Sequence, residues 1–297
     1  MNLYLNGIFA GVNKIKAPQR LNTRDLSIKH NLNSFCLWLL GVIESKGEFY
    51  IEKTNKDRFV WVFYIEYNAF DPKLVIYIKK VLGVGKIKNY GNKIRLVIKE
   101  KNHVRKILIP LFDQLSFLTH QNYYYSLWSK AFKISESESL SISEKIKLID
   151  DIRGEMNYLP LNYKSPIWEN KDLNLIEVDT LKTILNKHWL AGFLEGILDF
   201  YFINKDHYLI PFFKITEPIE SFLLNAIKKL FHIKSDNNLI LDTSDSKAIE
   251  NIFNYFLTKF IGCIVLEYKF WRKGIMYLKL QDSKYLKMRD RLKEIKK

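Results

Sequence analysis

One phrase occurs twice in this chain, 151 residues apart. Residues 38–49 read Trp-Leu-Leu-Gly-Val-Ile-Glu-Ser-Lys-Gly-Glu-Phe, and residues 189–200 read Trp-Leu-Ala-Gly-Phe-Leu-Glu-Gly-Ile-Leu-Asp-Phe. Both open on Trp, place a Gly three residues on and a Glu six residues on, and run into aromatic sequence. Repetition at this scale constrains the chain to two similar subdomains related by a pseudo-twofold axis. Each phrase has helical period. One face carries Leu37, Leu40, Gly41 and Glu44; the other carries His188, Ala191, Gly192 and Glu195. Two helices approach closely only where side chains are small, so Gly41, Ala191 and Gly192 are expected to pack the two repeats together.

Residues 47–54 and 59–67 are dense in aromatic and β-branched types and predict a hairpin. Asp71-Pro72 starts a helix to about Leu82, and Gly83-Val84-Gly85 ends it. A second hairpin follows at 85–90 and 93–99, then helices near 102–114 and 121–134. The second half repeats the order. Strands fall near 200–205 and 208–215, a helix runs from Glu217-Pro218 to about Phe231, a short hairpin covers 232–242, and a helix covers 246–260. The expected division is a basic N-terminal arm (1–30), a first repeat (31–134), a linker (135–187) with an exposed Ser/Glu-rich loop at 135–144, a second repeat (188–275) and a basic C-terminal tail (276–297) that ends in an amphipathic stretch expected to be helical.

The net charge is +15, and residues 1–150 hold 24 Lys and Arg against 13 Asp and Glu. A field of this size favours polyanions, and its asymmetry has the first half grip harder. Apolar content of 47% supports a substantial core. No stretch approaches the roughly 18 uninterrupted apolar residues of a membrane span. The two cysteines, Cys36 and Cys263, form no CxxC pair, and the six histidines show no ligand spacing, which argues against structural zinc. Cys36 reads as a buried small hydrophobe. Abundant Lys, Asn, Ile, Phe and Tyr point to AT-rich codons and so to an organelle; the mitochondrial matrix is the expected location. Lys14, Lys16, Arg20 and Arg24 fit either an import signal or a basic arm.

The two phrases resemble the LAGLIDADG signature of homing endonucleases and group I intron maturases. Leu82-Gly-Val-Gly-Lys-Ile, Leu118-Thr-His-Gln-Asn-Tyr and Leu266-Glu-Tyr-Lys-Phe-Trp are also similar to that family, and the likeness covers most of the chain from about residue 20. It implies an α+β fold of two pseudo-symmetric αββαββα repeats. Their antiparallel sheets are saddle-shaped, and the two motif helices form the central interface. It also implies that the eighth signature residue is the acid that holds divalent metal and activates water. That residue is Lys46 in the first copy and Ile197 in the second. Lys repels a divalent cation and Ile offers no lone pair. No catalytic residue and no cofactor is therefore expected. Mg2+ would enter only if Glu48 and Asp199, two residues further on in each copy and so on the same side of an extended chain as the lost acids, act as displaced acids about 6–7 Å along the strand.

The binding surface is read from alternation. Ile94, Leu96 and Ile98 face one way, and Lys93, Arg95 and Lys99 the other, with Lys86 and Lys88 on the partner strand. Lys53, Lys56 and Arg58 extend this face at the first turn. The second repeat carries Asp236, Asp242 and Asp245 in its second hairpin region, which would repel phosphate and compromise a symmetric grip on long duplex DNA. Structured RNA is read by shape, phosphates and exposed bases and suits such a scaffold better. The expectation is a non-cleaving, monomeric RNA-binding protein. Organellar ribosomal RNA is placed first, with ribosomal proteins as neighbours, and group I intron RNA is the alternative. Duplex DNA, bound by an active or decaying endonuclease, is the other alternative.

Overall fold

In the computed structural model the described residues are 26–56, 58–205, 208–217, 219–234, 241–256, 260–262 and 264–295. The basic arm through residue 25, residues 235–240 of the expected second-repeat hairpin with Asp236, and Cys263 lie outside them.

Helix α1 (Leu26–Lys46) runs directly into β1 (Gly47–Lys53), which pairs antiparallel with β2 (Phe59–Asn68). Helix α2 (Lys73–Leu82) ends at Gly83, whose φ of 72° is the left-handed geometry a C-terminal cap requires. The hairpin β3 (Lys86–Tyr90) and β4 (Lys93–Ile98) completes a sheet of order β1-β2-β4-β3. Alternation fixes its faces: Phe49, Ile51, Ile94, Leu96 and Ile98 are buried, and their neighbours in sequence point outward.

The next segment departs from the single helix expected at 102–114. Helix α3 (101–112) has a π-helical stretch, Val104–Leu108, that ends two residues before Pro110. Proline has no N–H for the carbonyl four residues back and its ring crowds that carbonyl; a wider turn relieves both. Helix α4 (Gln121–Glu136) then packs on β1. Phe49, Phe63, Phe112, Phe117, Tyr125 and Trp128 interlock beneath the sheet, with Phe117 and Tyr125 stacked at 5.1 Å.

The stretch 135–187 is more than the linker and loop expected. Helix α5 (Ile142–Glu155) is opened by a capping box between Ser141 and Glu144, and it packs on α4. Ser165 Oγ donates to Phe117 O and Trp168 Nε1 to Leu118 O at 2.8 Å, which ties this stretch into the core.

Helix α6 (Val178–Ile184) precedes α7 (Lys187–Leu194), β5 (Leu198–Lys205), β6 (Tyr208–Ile215), α8 (Ser221–Phe231), β7 (Asp242–Thr243) and α9 (Ser246–Tyr255). The second sheet has order β5-β6-β7 among the described residues. Phe200 lies 4.8 Å from Trp271 at its centre. The segment read as a C-terminal tail is folded: α11 (Lys284–Ile295) packs on α10 (Ile264–Lys279) and on β5, and Leu292 is buried. Period-3.6 apolar residues in a basic stretch formed a docked helix, whose charges remain on its outer face.

Two compact units result. One is Lys46–Asn170 with the start of α1 up to Cys36; the other is Leu37–Ser45 with the chain from Lys171 onward. The middle of α1 therefore belongs to the second unit, which linear boundaries at 31–134 and 188–275 do not capture. Cys36, expected buried, is half-buried, and burial pushes its thiol up to about 11.

Candidate nucleic-acid interface

Within the second unit, α7 packs against the 37–45 segment of α1 at backbone contact. A Cβ on Gly41 would lie 2.0 Å from the Trp189 carbonyl oxygen, and one on Gly192 would lie 1.9 Å from that of Trp38. Ala191, beside this contact, is fully buried. The contact is reciprocal in its polar groups as well. Trp189 Nε1 donates to Glu44 Oε1 at 2.8 Å and Trp38 Nε1 to Glu195 Oε2 at 3.3 Å. Glu195 also accepts the backbone N–H groups of Ile261 and Gly262. Both glutamates are buried, and a buried carboxylate is tolerated only when partnered in this way. These two acids therefore hold the helix pair.

The signature ends differently in its two copies. Ser45 continues α1, its Oγ donating to the carbonyls of Gly41 and Val42, so Lys46 is the last helical residue and is half-buried. The second copy has Gly196 where the first has Ser45. Gly196 adopts φ 86°, α7 stops at Leu194, and Ile197 turns into the core at 2% exposure. Asp199 lies on the outward side of β5, in register with Lys214. Period-2 alternation was expected to place Asp199 and position 197 on one side. The turn at Gly196 breaks that alternation and separates the buried 197 from the outward 199. Glu48 lies on the outer face of β1, where its carboxylate accepts the Tyr64 hydroxyl. Burial first, then that carboxylate, drives the Tyr64 phenol far above its usual range.

The basic residues singled out in the sequence divide into two groups. Lys56, Arg58, Lys86, Lys88 and Lys99 are exposed. Lys93 and Arg95 both bind Glu66, Arg95 Nε at 2.6 Å, and Lys53 binds Asp150 at 2.5 Å. Burial alone would raise the Glu66 carboxyl, but the hydrogen bonds from Lys93 and Arg95 outweigh it and hold it below the usual range. The Arg95 guanidinium also lies 4.2 Å from the Tyr64 ring and 4.8 Å from the Tyr90 ring. The outer face is thus a mixed aromatic and basic surface, with Tyr50, Tyr64 and Tyr90 set among the cations. Their alternation along β1, β2 and β3 was the signal available in the sequence, which attention to Lys and Arg passed over.

The outer face of the second sheet is of another kind. Tyr201 stacks on Phe212 at 5.1 Å beside the Ile203–Ile210 pair, and Asp199 and Asp242 both register with Lys214. Among the described side chains of that face, Lys214 is the basic one.

The family model described as LAGLIDADG endonuclease matches residues 39–132. A Schizosaccharomyces pombe protein named "Probable intron-encoded endonuclease Cox1-I1b" is 29% identical over 282 residues, 89% of this chain and 69% of that protein. A Saccharomyces cerevisiae protein named "Uncharacterized mitochondrial protein RF1" is 25% identical over 66% of this chain and 39% of its own length. A solved structure described as I-SmaMI bound to uncleaved DNA target in the presence of calcium ions has the same fold, with a TM-score of 0.70 at 20% identity, covering 88% of this chain and 97% of that one.

Proposed function

Because this chain belongs to the LAGLIDADG endonuclease family, we propose that it binds structured RNA in the mitochondrion and does not cut it. The observation that carries the loss of cleavage is Ile197, which is buried at 2% exposure where the family signature places a metal-binding acid. A side chain with no lone pair, turned into the core, supplies neither charge nor ligand to a cation. Lys46 at the matching place in the first copy adds a positive charge. Glu48 and Asp199 do not replace them, since Glu48 is engaged by Tyr64 and Asp199 faces outward in register with Lys214.

The binding half of the proposal rests on the first sheet. Exposed Lys86, Lys88 and Lys99 meet phosphates, while exposed Tyr50 and Tyr90 offer rings to unpaired bases, a combination suited to RNA with loops and bulges. The second sheet's apolar face, with its two aspartates, does not continue the basic surface. Mitochondrial location is supported by the name of the Saccharomyces cerevisiae relative. Ribosomal RNA and a group I intron are the two hosts; the Schizosaccharomyces pombe relative's intron-encoded name favours an intron origin for the gene. With both repeats on one chain, a monomer suffices.

The test is equilibrium binding of the full chain to mitochondrial ribosomal and intron transcripts and to duplex DNA across a salt series, with magnesium or manganese present. Tighter binding to RNA with no strand scission supports the proposal; metal-dependent nicking that is lost in Glu48→Gln overturns it. A second reading, duplex DNA held without cleavage, draws on the DNA-bound I-SmaMI structure, and tighter binding to duplex would establish it.

A further inference from the structure

Strand β1 forms one edge of the first sheet, and side chains from two helices cap its carbonyls. Gln121 Nε2 donates to Gly47 O at 3.0 Å, Trp128 Nε1 to Tyr50 O at 3.2 Å and Arg153 Nε to Ile51 O at 3.1 Å. These helices, α4 and α5, stand off from the strand and leave a recess of about 620 Å³. That is within the range of small-ligand sites and large enough for a nucleotide. Its walls include Tyr50, His120, Gln121, Tyr124, Asp150 and Arg153.

The wall chemistry is specific. His120 and Tyr124 meet edge to face at 5.9 Å, and both they and Tyr50 of β1 line the recess. Arg153 Nη1 donates to Asp150 Oδ1 at 2.7 Å, which places a fixed donor and a fixed acceptor at the rim. Gln121 is 8% exposed, and with its Nε2 engaged, its Oε1 is buried with no hydrogen-bond partner.

The geometry points to this recess as a pocket for one unpaired nucleobase extruded from bound RNA and stacked on Tyr124. The inference rests on the RNA reading above and names the element of RNA that is recognised. A planar heterocycle has ring faces for Tyr124 and Tyr50, whereas a phosphate would meet the Glu48 and Asp150 carboxylates.

The experiment uses the full chain and two RNA hairpins, identical except that one carries a single bulged adenosine and the other an abasic residue at that place. The wild type should bind the bulged hairpin about tenfold more tightly, the change that stacking of one base produces. Tyr124→Ala should bring the ratio to about one and leave the affinity for the abasic hairpin unchanged. Tyr124→Phe, which keeps the ring, should retain the preference. Equal affinities in the wild type, or equal weakening of both hairpins in Tyr124→Ala, overturn the pocket while RNA binding stands. Failure to hold either hairpin at a salt concentration where duplex DNA is held overturns the RNA reading and the pocket with it.

Discussion

A single missing atom decides the packing of the motif helices. Because a Cβ at position 192 would lie 1.9 Å from a backbone carbonyl, no rotamer change can relieve Gly192→Ala; a helix must move. The expected loss is about 3 kcal/mol in urea unfolding, with unchanged slope. The glutamates beside it were legible as structural because they sit on the same helical face as the glycines. Their partners were not, since nothing local tells Trp38 that its acceptor lies 157 residues away. Glu66 offers a titration test. Its folded carboxyl is held below the unfolded value of about 4.3, so its pairs with Lys93 and Arg95 stabilise the fold above that value and the contribution is lost as pH falls through the folded one. Glu66→Gln should therefore flatten the fall of melting temperature below about pH 4 relative to wild type.

At the scale of elements, the strands were the most legible part, because a half-buried strand writes its two faces into alternate residues. Ile94, Leu96 and Ile98 against Lys93, Arg95 and Lys99 needed no tertiary information. Helix α5 was missed although Ser141 and Glu144 spell a capping box, because the Ser/Glu-rich run around them reads as loop. That omission had a consequence at the candidate site: Asp150 and Arg153 come from α5, and with them the ion pair to Lys53 and one wall of the recess. The early end of α7 was visible only as a glycine in place of a serine. Of the sheet residues, Lys86 and Lys88 are exposed and neither is ion-paired to Glu66, although Lys88 lies opposite Arg95. Replacing both by Ala should reduce the slope of log affinity against log salt by about one to two, as measured by filter binding, whereas Lys214→Ala should leave it nearly unchanged.

For the whole molecule, the charge asymmetry of the two halves reappears as two sheets with different outer faces, one basic and aromatic, the other apolar with acids. The division of the chain into units also carries a consequence for its continuity. Residues 37–45 lie in the second unit, while Ser165 and Trp168, from beyond the exposed Tyr158 and Leu161, are bonded into the first. A protease cut between residues 158 and 161 would thus produce two pieces, each with a segment embedded in the other's unit. The nicked protein should elute from gel filtration as one species at the intact mass and separate only in denaturant. The peptide bond there ensures that the halves are made in equal number, and the interleaved segments keep them joined, as two threads pulled through one another hold without a knot.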